Sequence, residues 1–212
     1  HGQHGQHGQH GQHGQHGQTI VSVAMTTPTA DTPRSAHGST PEVGDEVVLL
    51  DEDGTPIGTA DRLTVHTADT PLHLAFSFHA VHGGQTLLTR RDVGKRTWPG
   101  VWSNTACGHP RAGEAMEDAV RRRVAEELGA PVGELRCVLP EFRYRAVDAS
   151  GVVENEICPV FVGTIEGEPA PDPAEIMDHA WVDRDAVLEA AVRTPVLLSP
   201  WSVMQFTALA DL

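Results

Sequence analysis

The stretch from Trp98 to Gly129, WPGVWSNTACGHPRAGEAMEDAVRRRVAEELG, limits the fold of this chain more than any other. In its second half Ala115, Met116, Ala119, Val120, Val124, Ala125 and Leu128 recur in steps of three and four. That period lays one apolar stripe along a helix. Gly129 ends the helix as a C-cap, and Pro131 prevents continuation. Glu126 and Glu127 lie off the stripe, one turn from Arg122 and Arg123. Alone, such a pair reads as a solvated face laced by i,i+4 ion pairs. Here it comes with the loop residue Gly108, the lone Glu114 and the capping Gly129. Acidic oxygens grouped on a helix behind a glycine loop suit a hard divalent ion such as Mg2+, which usually also meets substrate phosphates.

A chain of 212 residues can bury a sizeable core in one domain. Its formal charge of −14 argues against nucleic acid or anionic membrane as the main partner. Any phosphate site must therefore be a local concentration of Arg and Lys. No apolar run reaches membrane-spanning length, and no signal-peptide pattern is present. Cys107, Cys137 and Cys158, an odd count, do not form a disulfide framework. A soluble protein of a reducing cytoplasm, acting as a monomer, is the expectation.

Residues 1–18 repeat HGQ and cannot bury a core; with the Thr/Pro/Ser-rich residues 19–43 they read as a disordered arm. The repeats read equally as a weak metal binder, a tag, or sequence upstream of a start at Met25. The domain is expected over residues 44–212. Glu46–Leu50 and Thr55–Thr59 form a hairpin across Asp53-Gly54. Leu72–Val81 reads as one buried strand, turned by Gly83-Gly84 into Gln85–Arg90. After the helix, Leu135–Leu139, Glu141–Ala146, a strand-like Val152–Ile165 and Glu175–Val182 follow. Asp183 caps a helix to Val192, and Ser199-Pro200 opens the last one. The expected class is α+β, an α/β/α sandwich around a mixed sheet.

Several residue types invite chemistry. His66, His73 and His109 stand in suggestive settings. Glu154 and Glu156, one residue apart, face the same way on a strand. Two carboxylates between apolar flanks are costly unless a cation meets them, and a metal held by three imidazoles and two carboxylates removes that cost. Nothing in the spacing itself proves that the five groups converge. His79 reads as a satisfied core or edge histidine; His37, His82 and His179 read as surface. Arg90, Arg91, Lys95 and Arg96 form a basic cluster, either a solvated loop or a diphosphate clamp. Cys107 stands two positions from His109, where a cation or metal lowers a thiol's pKa toward the thiolate. Cys137 and Cys158 read as small buried residues. Tyr144 reads as strand packing or chemistry, and Trp201 as a staple or an indole face toward developing positive charge.

From about Asp45 to Phe206 the chain resembles the type 1 isopentenyl-diphosphate isomerases, which carry a Nudix fold. The motifs are HTADTPLHLAFS, LLTRR, WPGVW, the Cys-Gly-His-Pro loop, FRYRA, VVENEICPVF and SPWSVMQF. The helix matches the Nudix signature Gly-x5-Glu-x7-Arg-Glu-x-x-Glu-Glu-x-Gly except that Arg123 replaces the Glu after Arg122. The resemblance implies interconversion of isopentenyl and dimethylallyl diphosphate, with Cys107 and Glu156 as a catalytic pair on opposite faces of the substrate. It implies a first metal site of His66, His73, His109, Glu154 and Glu156, holding Mn2+, Zn2+ or Mg2+. It assigns Glu127 to a Mg2+ shared with the diphosphate, and Arg91, Lys95 and Arg123 to the diphosphate itself. In that scheme Glu156, assisted by Tyr144, protonates C4; Cys107 as thiolate takes a C2 proton; Trp201 faces the cation. The reverse assignment of the pair stays open. A Nudix pyrophosphohydrolase is the alternative, which leaves Cys107, His109 and Arg123 without a task. A metal-binding or storage protein built on the HGQ tail leaves residues 45–206 unexplained.

Overall fold

The computed structural model describes residues 46–210. The arm expected over residues 1–43, with His37, lies outside them. The domain starts as read, with β1 (Glu46–Leu50) paired antiparallel to β2 (Pro56–Asp61). The turn between them is held by Asp51, whose Oδ1 accepts from the backbone N–H groups of Asp53 at 3.0 Å and Thr55 at 2.8 Å.

Leu72–Val81, expected as one strand, is two. β3 (His73–Leu74) belongs to a five-stranded sheet, and β4 (Phe76–His82) to a seven-stranded one. Val152–Ile165 divides in the same way into β10 (Val153–Ile157) and β11 (Val160–Ile165). β3 runs parallel to β10 and β4 parallel to β11, so both strands leave one sheet for the other at the same level. Pro159 has no N–H to extend the ladder and marks the break. The Ala75 N–H to Ile157 O bond (2.9 Å) and the Ser77 N–H to Pro159 O bond (3.0 Å) carry the pair across it. This break brings the two sheets' chemistry together.

The smaller sheet runs β2-β1-β3-β10-β9, with β9 (Arg143–Val147) at its edge. The larger runs β12-β5-β4-β11-β8, from β12 (Ile176–Asp183) and β5 (Gln85–Arg91) to β8 (Val132–Leu139). Two short strands inside the stretch read as loop, β6 (Trp102–Ser103) and β7 (Ala106–Gly108), pair with β5 and β4. Adjacent residues of a strand point to opposite faces. Leu87 accordingly joins Phe76, Phe78 and the stripe of α1 (Met116–Leu128), whereas Leu88 joins α2 (Arg184–Arg193) and α3 (Pro200–Leu209) through Val187 and Phe206. Helices on both faces of a mixed sheet complete the expected sandwich.

The caps agree with the sequence reading. Asp183 accepts from the Ala186 N–H at 3.0 Å, and Ser199 from the Ser202 N–H at 3.4 Å. Gly129 adopts φ 61, and a Cβ there would meet Ala170 O at 2.8 Å. Cys137 departs from expectation: it is exposed, because β8 is an edge strand. His82 is exposed as expected, whereas His179 is half-buried.

His79 is buried, with its Nε2 2.8 Å from Gln205 Oε1. Burial lowers its pKa to about 4, against the raising effect of the Gln205 bond and with a lowering contribution from Arg184. The unfolded chain therefore takes up a proton near 6.5 that the folded chain refuses until about 4. His79's contribution is complete above pH 6.5 and falls by about 1.4 kcal/mol per unit below it, about 3 kcal/mol in all. Urea unfolding at pH 7.5 and pH 5 should show wild type losing more stability than His79→Phe; equal losses would contradict this.

Candidate active site

Three histidines from separate segments meet beside β10. The ring centroids of His66 and His73 are 5.0 Å apart, of His73 and His109 5.1 Å, and of His66 and His109 5.8 Å. His73 Nδ1 donates to Pro71 O at 2.9 Å, which leaves Nε2 bare and aimed inward. Glu156 Oε1 lies 3.4 Å from Nε2 of both His73 and His109. One ligand atom each from His66, His73, His109 and Glu156 falls within 4.8 Å of the others. Nε2 of His66 and of His73 is buried without a hydrogen bond. Buried nitrogens left unpaired around one point, with a carboxylate among them, fit a divalent cation.

Glu154, the fifth expected ligand, stands at one side of this group. Its Oε2 lies 2.9 Å from His66 Nε2, and its Oε1 accepts from Thr97 Oγ1 at 2.7 Å. Burial opposes ionisation of Glu156, but the His109 and His73 imidazoles beside it hold it well below the usual carboxylate range. The same carboxylate raises His73 despite burial, whereas burial prevails at His109 and lowers it.

Cys107 lies on β7 opposite Ser77 of β4. Its Sγ is 3.2 Å from Asn104 Oδ1 as donor and 3.3 Å from Ser77 Oγ. Burial pushes the thiol up to about 11, opposed by the Ser77 and Asn104 hydrogen bonds and assisted by the Glu156 charge. Cys107 packs against a cluster containing Ala75, Tyr144, Cys158, Trp98 and Trp201. The Trp201 ring is 5.8 Å from Tyr144 and stands edge-on to Trp98 at 5.2 Å. Its Nε1 donates to Ser103 Oγ and Asn104 Oδ1, each at 3.0 Å. Tyr144 sits across from Glu156 in the β9–β10 pairing.

The basic residues form a third wall. Arg91 Cζ lies 5.6 Å from the Trp201 ring centroid. Its guanidinium donates to Thr97 O through Nη2 at 2.8 Å and Nε at 3.1 Å, joining this wall to Glu154 through Thr97. Burial lowers Lys95 to about 8; Glu127 opposes this, and Arg91, Arg123 and Arg62 add to it. Lys95 pairs with Glu175, and Arg123 with Glu127 and, at 3.0 Å, Glu126. Arg91, Lys95 and Arg123 thus concentrate positive charge locally in an otherwise acidic chain. Arg90 instead donates to Gly100 O at 2.9 Å, and Arg96 binds Leu63 O.

The rest of the helix signature is a brace. Arg122 takes Glu114 through Nε and Nη2, both at 2.8 Å, and donates to His109 O at 3.2 Å. Glu114 also accepts the Arg111 N–H at 2.8 Å, so the pair fixes the loop that carries Cys107 and His109. A Cβ on Gly108 would meet Arg123 Cγ at 2.8 Å and Phe76 Cζ at 2.9 Å, so only glycine lets Arg123 cross there. Asn104, Ser77, Thr97, Trp98, Arg62 and Glu175 were missed as site residues. Trp98 alone left a signal, an aromatic residue before Pro99-Gly100; it has φ 44, a strained value for a bulky residue.

The NUDIX domain family matches residues 71–201. An isopentenyl-diphosphate Delta-isomerase from Frankia alni is 56% identical over 175 residues, which span 82% of this chain and 90% of the relative. The protein of the same name from Leifsonia xyli subsp. xyli is 55% identical over 168 residues, 78% of this chain and 91% of that one. Among solved structures, DR0079 from Deinococcus radiodurans aligns with a TM-score of 0.54 at 18% identity, covering 70% of this chain and 90% of its own. A MutT NUDIX hydrolase from Burkholderia pseudomallei aligns at 0.51 with 22% identity, covering 64% and 96%. At such identities the structural likeness speaks for the fold alone.

Proposed function

Because the chain belongs to the isopentenyl-diphosphate Delta-isomerases of the NUDIX domain family, we infer that it interconverts isopentenyl diphosphate and dimethylallyl diphosphate. The observation that supports this most is contiguity. Arg91 of the basic wall stands against Trp201, Trp201 against Tyr144, and Cys107 packs in the same aromatic group, within reach of the Glu156 charge. A diphosphate handle, a cation-tolerant compartment and two proton carriers are therefore neighbours.

The reaction adds a proton at C4, removes one at C2 and hydrolyses nothing. An unactivated alkene is a weak base, so the donor must be held against it while water is excluded. The aromatic faces of Trp201 and Tyr144 stabilise the tertiary cation between the two transfers. We assign the transfers to Cys107 and Glu156 on the two faces of the substrate. At rest the proton sits on the thiol, and Glu156 is a carboxylate held by His73 and His109. Toward dimethylallyl diphosphate, Cys107 then gives its proton to C4 and Glu156 takes one from C2; the return direction exchanges the roles. This reverses the assignment expected from the resemblance. Arg91, Lys95 and Arg123 bind the diphosphate.

His66, His73, His109 and Glu156, with Glu154 beside them, would hold a divalent cation, and their mixed N and O donors suit Mn2+ or Zn2+ as well as Mg2+. Glu127, next to the cations of the third wall, would share a Mg2+ with the diphosphate. Bound there, the ions supply fixed positive charge against the carboxylates and the diphosphate. Within this reading the enzyme is a cytoplasmic monomer with unpaired thiols. Among the described residues no helix is long and apolar enough to cross a membrane.

Incubation with isopentenyl diphosphate and Mg2+, followed for both dimethylallyl diphosphate and inorganic phosphate, tests the reading. Allylic product without phosphate supports it; phosphate without a double-bond shift replaces it with pyrophosphohydrolysis. Removing residues 1–24 should leave kcat within about twofold, since the site is built from elements after residue 61. Abolished turnover in that truncation would return the HGQ repeats to the centre of the function.

A further inference from the structure

One buried polar row is left unused by this chemistry. It lies on the face of β4 turned away from α1. Ser77 and His79, alternate residues, share that face, while Phe76, Phe78 and Ala80 fill the other. Gln205 reaches the row from α3. Ser77, His79 and Gln205 are each at most 1% exposed. The Phe206 ring stands edge-on to His79 at 4.9 Å. Polar side chains in such a place are costly unless each satisfies the next.

The contacts run in one direction. His79 Nε2 lies 2.8 Å from Gln205 Oε1, an atom that only accepts, so the imidazole carries its proton on Nε2. Gln205 Nε2 donates to Ser77 Oγ at 2.8 Å. That leaves the Ser77 hydroxyl proton to be given onward, to Cys107 Sγ at 3.3 Å or Cys158 Sγ at 3.4 Å. The other side of Cys107 is fixed as well. Asn104 Nδ2 donates to Phe78 O at 3.1 Å and Ala106 O at 2.9 Å, which turns Oδ1 toward the thiol at 3.2 Å. The sulfur thus gives its proton toward Asn104, which leaves a lone pair open to the Ser77 O–H.

We propose that His79 and Gln205 are positioning residues for the thiol of Cys107, acting through Ser77 as a directed hydrogen-bond row from the α3 side of the sheet. The proposal rests on the reading of Cys107 as a reacting group. The row fixes the orientation of Ser77, whose O–H meets the sulfur as negative charge develops on it during proton transfer. A donor already in place for that charge favours the transition state over the resting thiol. Arg91, Lys95 and Arg123 bond to Thr97, Glu175, Glu126 and Glu127 rather than to the row, so it acts on kcat and leaves substrate affinity alone.

The test is a mutant cycle with isopentenyl diphosphate and Mg2+, with thermal unfolding confirming that each variant is folded. Ser77→Ala and Gln205→Met are each expected to lower kcat about tenfold with KM unchanged within about twofold. The double variant should be no slower than the slower single variant, because Gln205 works only through Ser77. Ser77→Thr, which keeps the hydroxyl, should restore kcat to within about threefold of wild type. In wild-type protein, the 15N shifts of His79 should report the Nε2–H tautomer. A folded Gln205→Met with wild-type kcat, fully additive losses, or the Nδ1–H tautomer would each overturn the row. If Gln205→Met does not fold, His79→Phe takes its place with an expected loss of about threefold, and wild-type kcat in it overturns the proposal. Cys107→Ala is measured alongside. If it is inactive while Gln205→Met keeps wild-type kcat, the row alone fails; if it is fully active, the premise and the row fail together.

Discussion

Cys107→Ala is expected to lower kcat by at least about 10³-fold, near the upper part of the range for loss of a positioned acid–base group. The loss should be this large because water is a poor substitute inside the aromatic cluster, where Cys107 packs against Ala75, Tyr144, Cys158 and Trp201. The variant should still fold. It loses the contacts to Asn104 and Ser77, worth about 1–2 kcal/mol together, and leaves the cores on either side of the large sheet intact. Cys137→Ala should keep nearly full activity, since that residue is exposed on the edge strand β8. Cys158→Ala should keep most of it, because Ser77 keeps Cys107 as a partner when the Cys158 contact is lost. Steady-state kinetics on the three variants decides this, and a fully active Cys107→Ala would end the two-sided transfer.

Glu156→Gln should fail in two ways. The amide matches the carboxylate in size but can neither take a C2 proton nor balance a cation. Glu156 Oε1 is the oxygen shared by His73 and His109, each at 3.4 Å. Its replacement by an uncharged group should cost about 10³-fold in kcat and weaken metal retention by about 10–100-fold. Activity and bound metal, measured on the same dialysed sample, separate the two effects. Adding excess Mn2+ or Mg2+ should refill the site without restoring turnover. Full rescue by metal would reduce Glu156 to a ligand and remove it from proton transfer.

Much of this was legible in local sequence. The stripe from Ala115 to Leu128, the αL cap at Gly129 and the capping residues Asp183 and Ser199 are short-range features, and they fold as the sequence reads. The alternation of Glu154 and Glu156 was equally plain, because a strand's period of two is local. The sheet break was not. Nothing within Leu72–Val81 marks Ala75 as a crossing point; the cause is Pro159, far along the chain, which interrupts the partner strand. The convergence of His66, His73 and His109 depends on that break and so could come only from resemblance.

The missed residues share a reason as well. Ser77 and Thr97 reach Cys107 and Glu154, 30 and 57 positions away, while Asn104 reaches Cys107 from only 3. Small polar residues whose partners are set by the fold look ordinary in sequence. The contacts of Cys107 were not legible from its sequence neighbour. His109 stands two positions away in sequence but meets Glu156, and the sulfur meets the neutral side chains of Ser77 and Asn104.

The most direct test of the central claim is proton and deuterium NMR of the full-length protein with isopentenyl diphosphate and Mg2+ in D2O. Two-sided transfer predicts dimethylallyl diphosphate with deuterium in a methyl group, loss of a C2 proton to solvent, and no free phosphate. Dimethylallyl diphosphate without solvent deuterium in the methyl group, or phosphate released with the double bond unmoved, would contradict it.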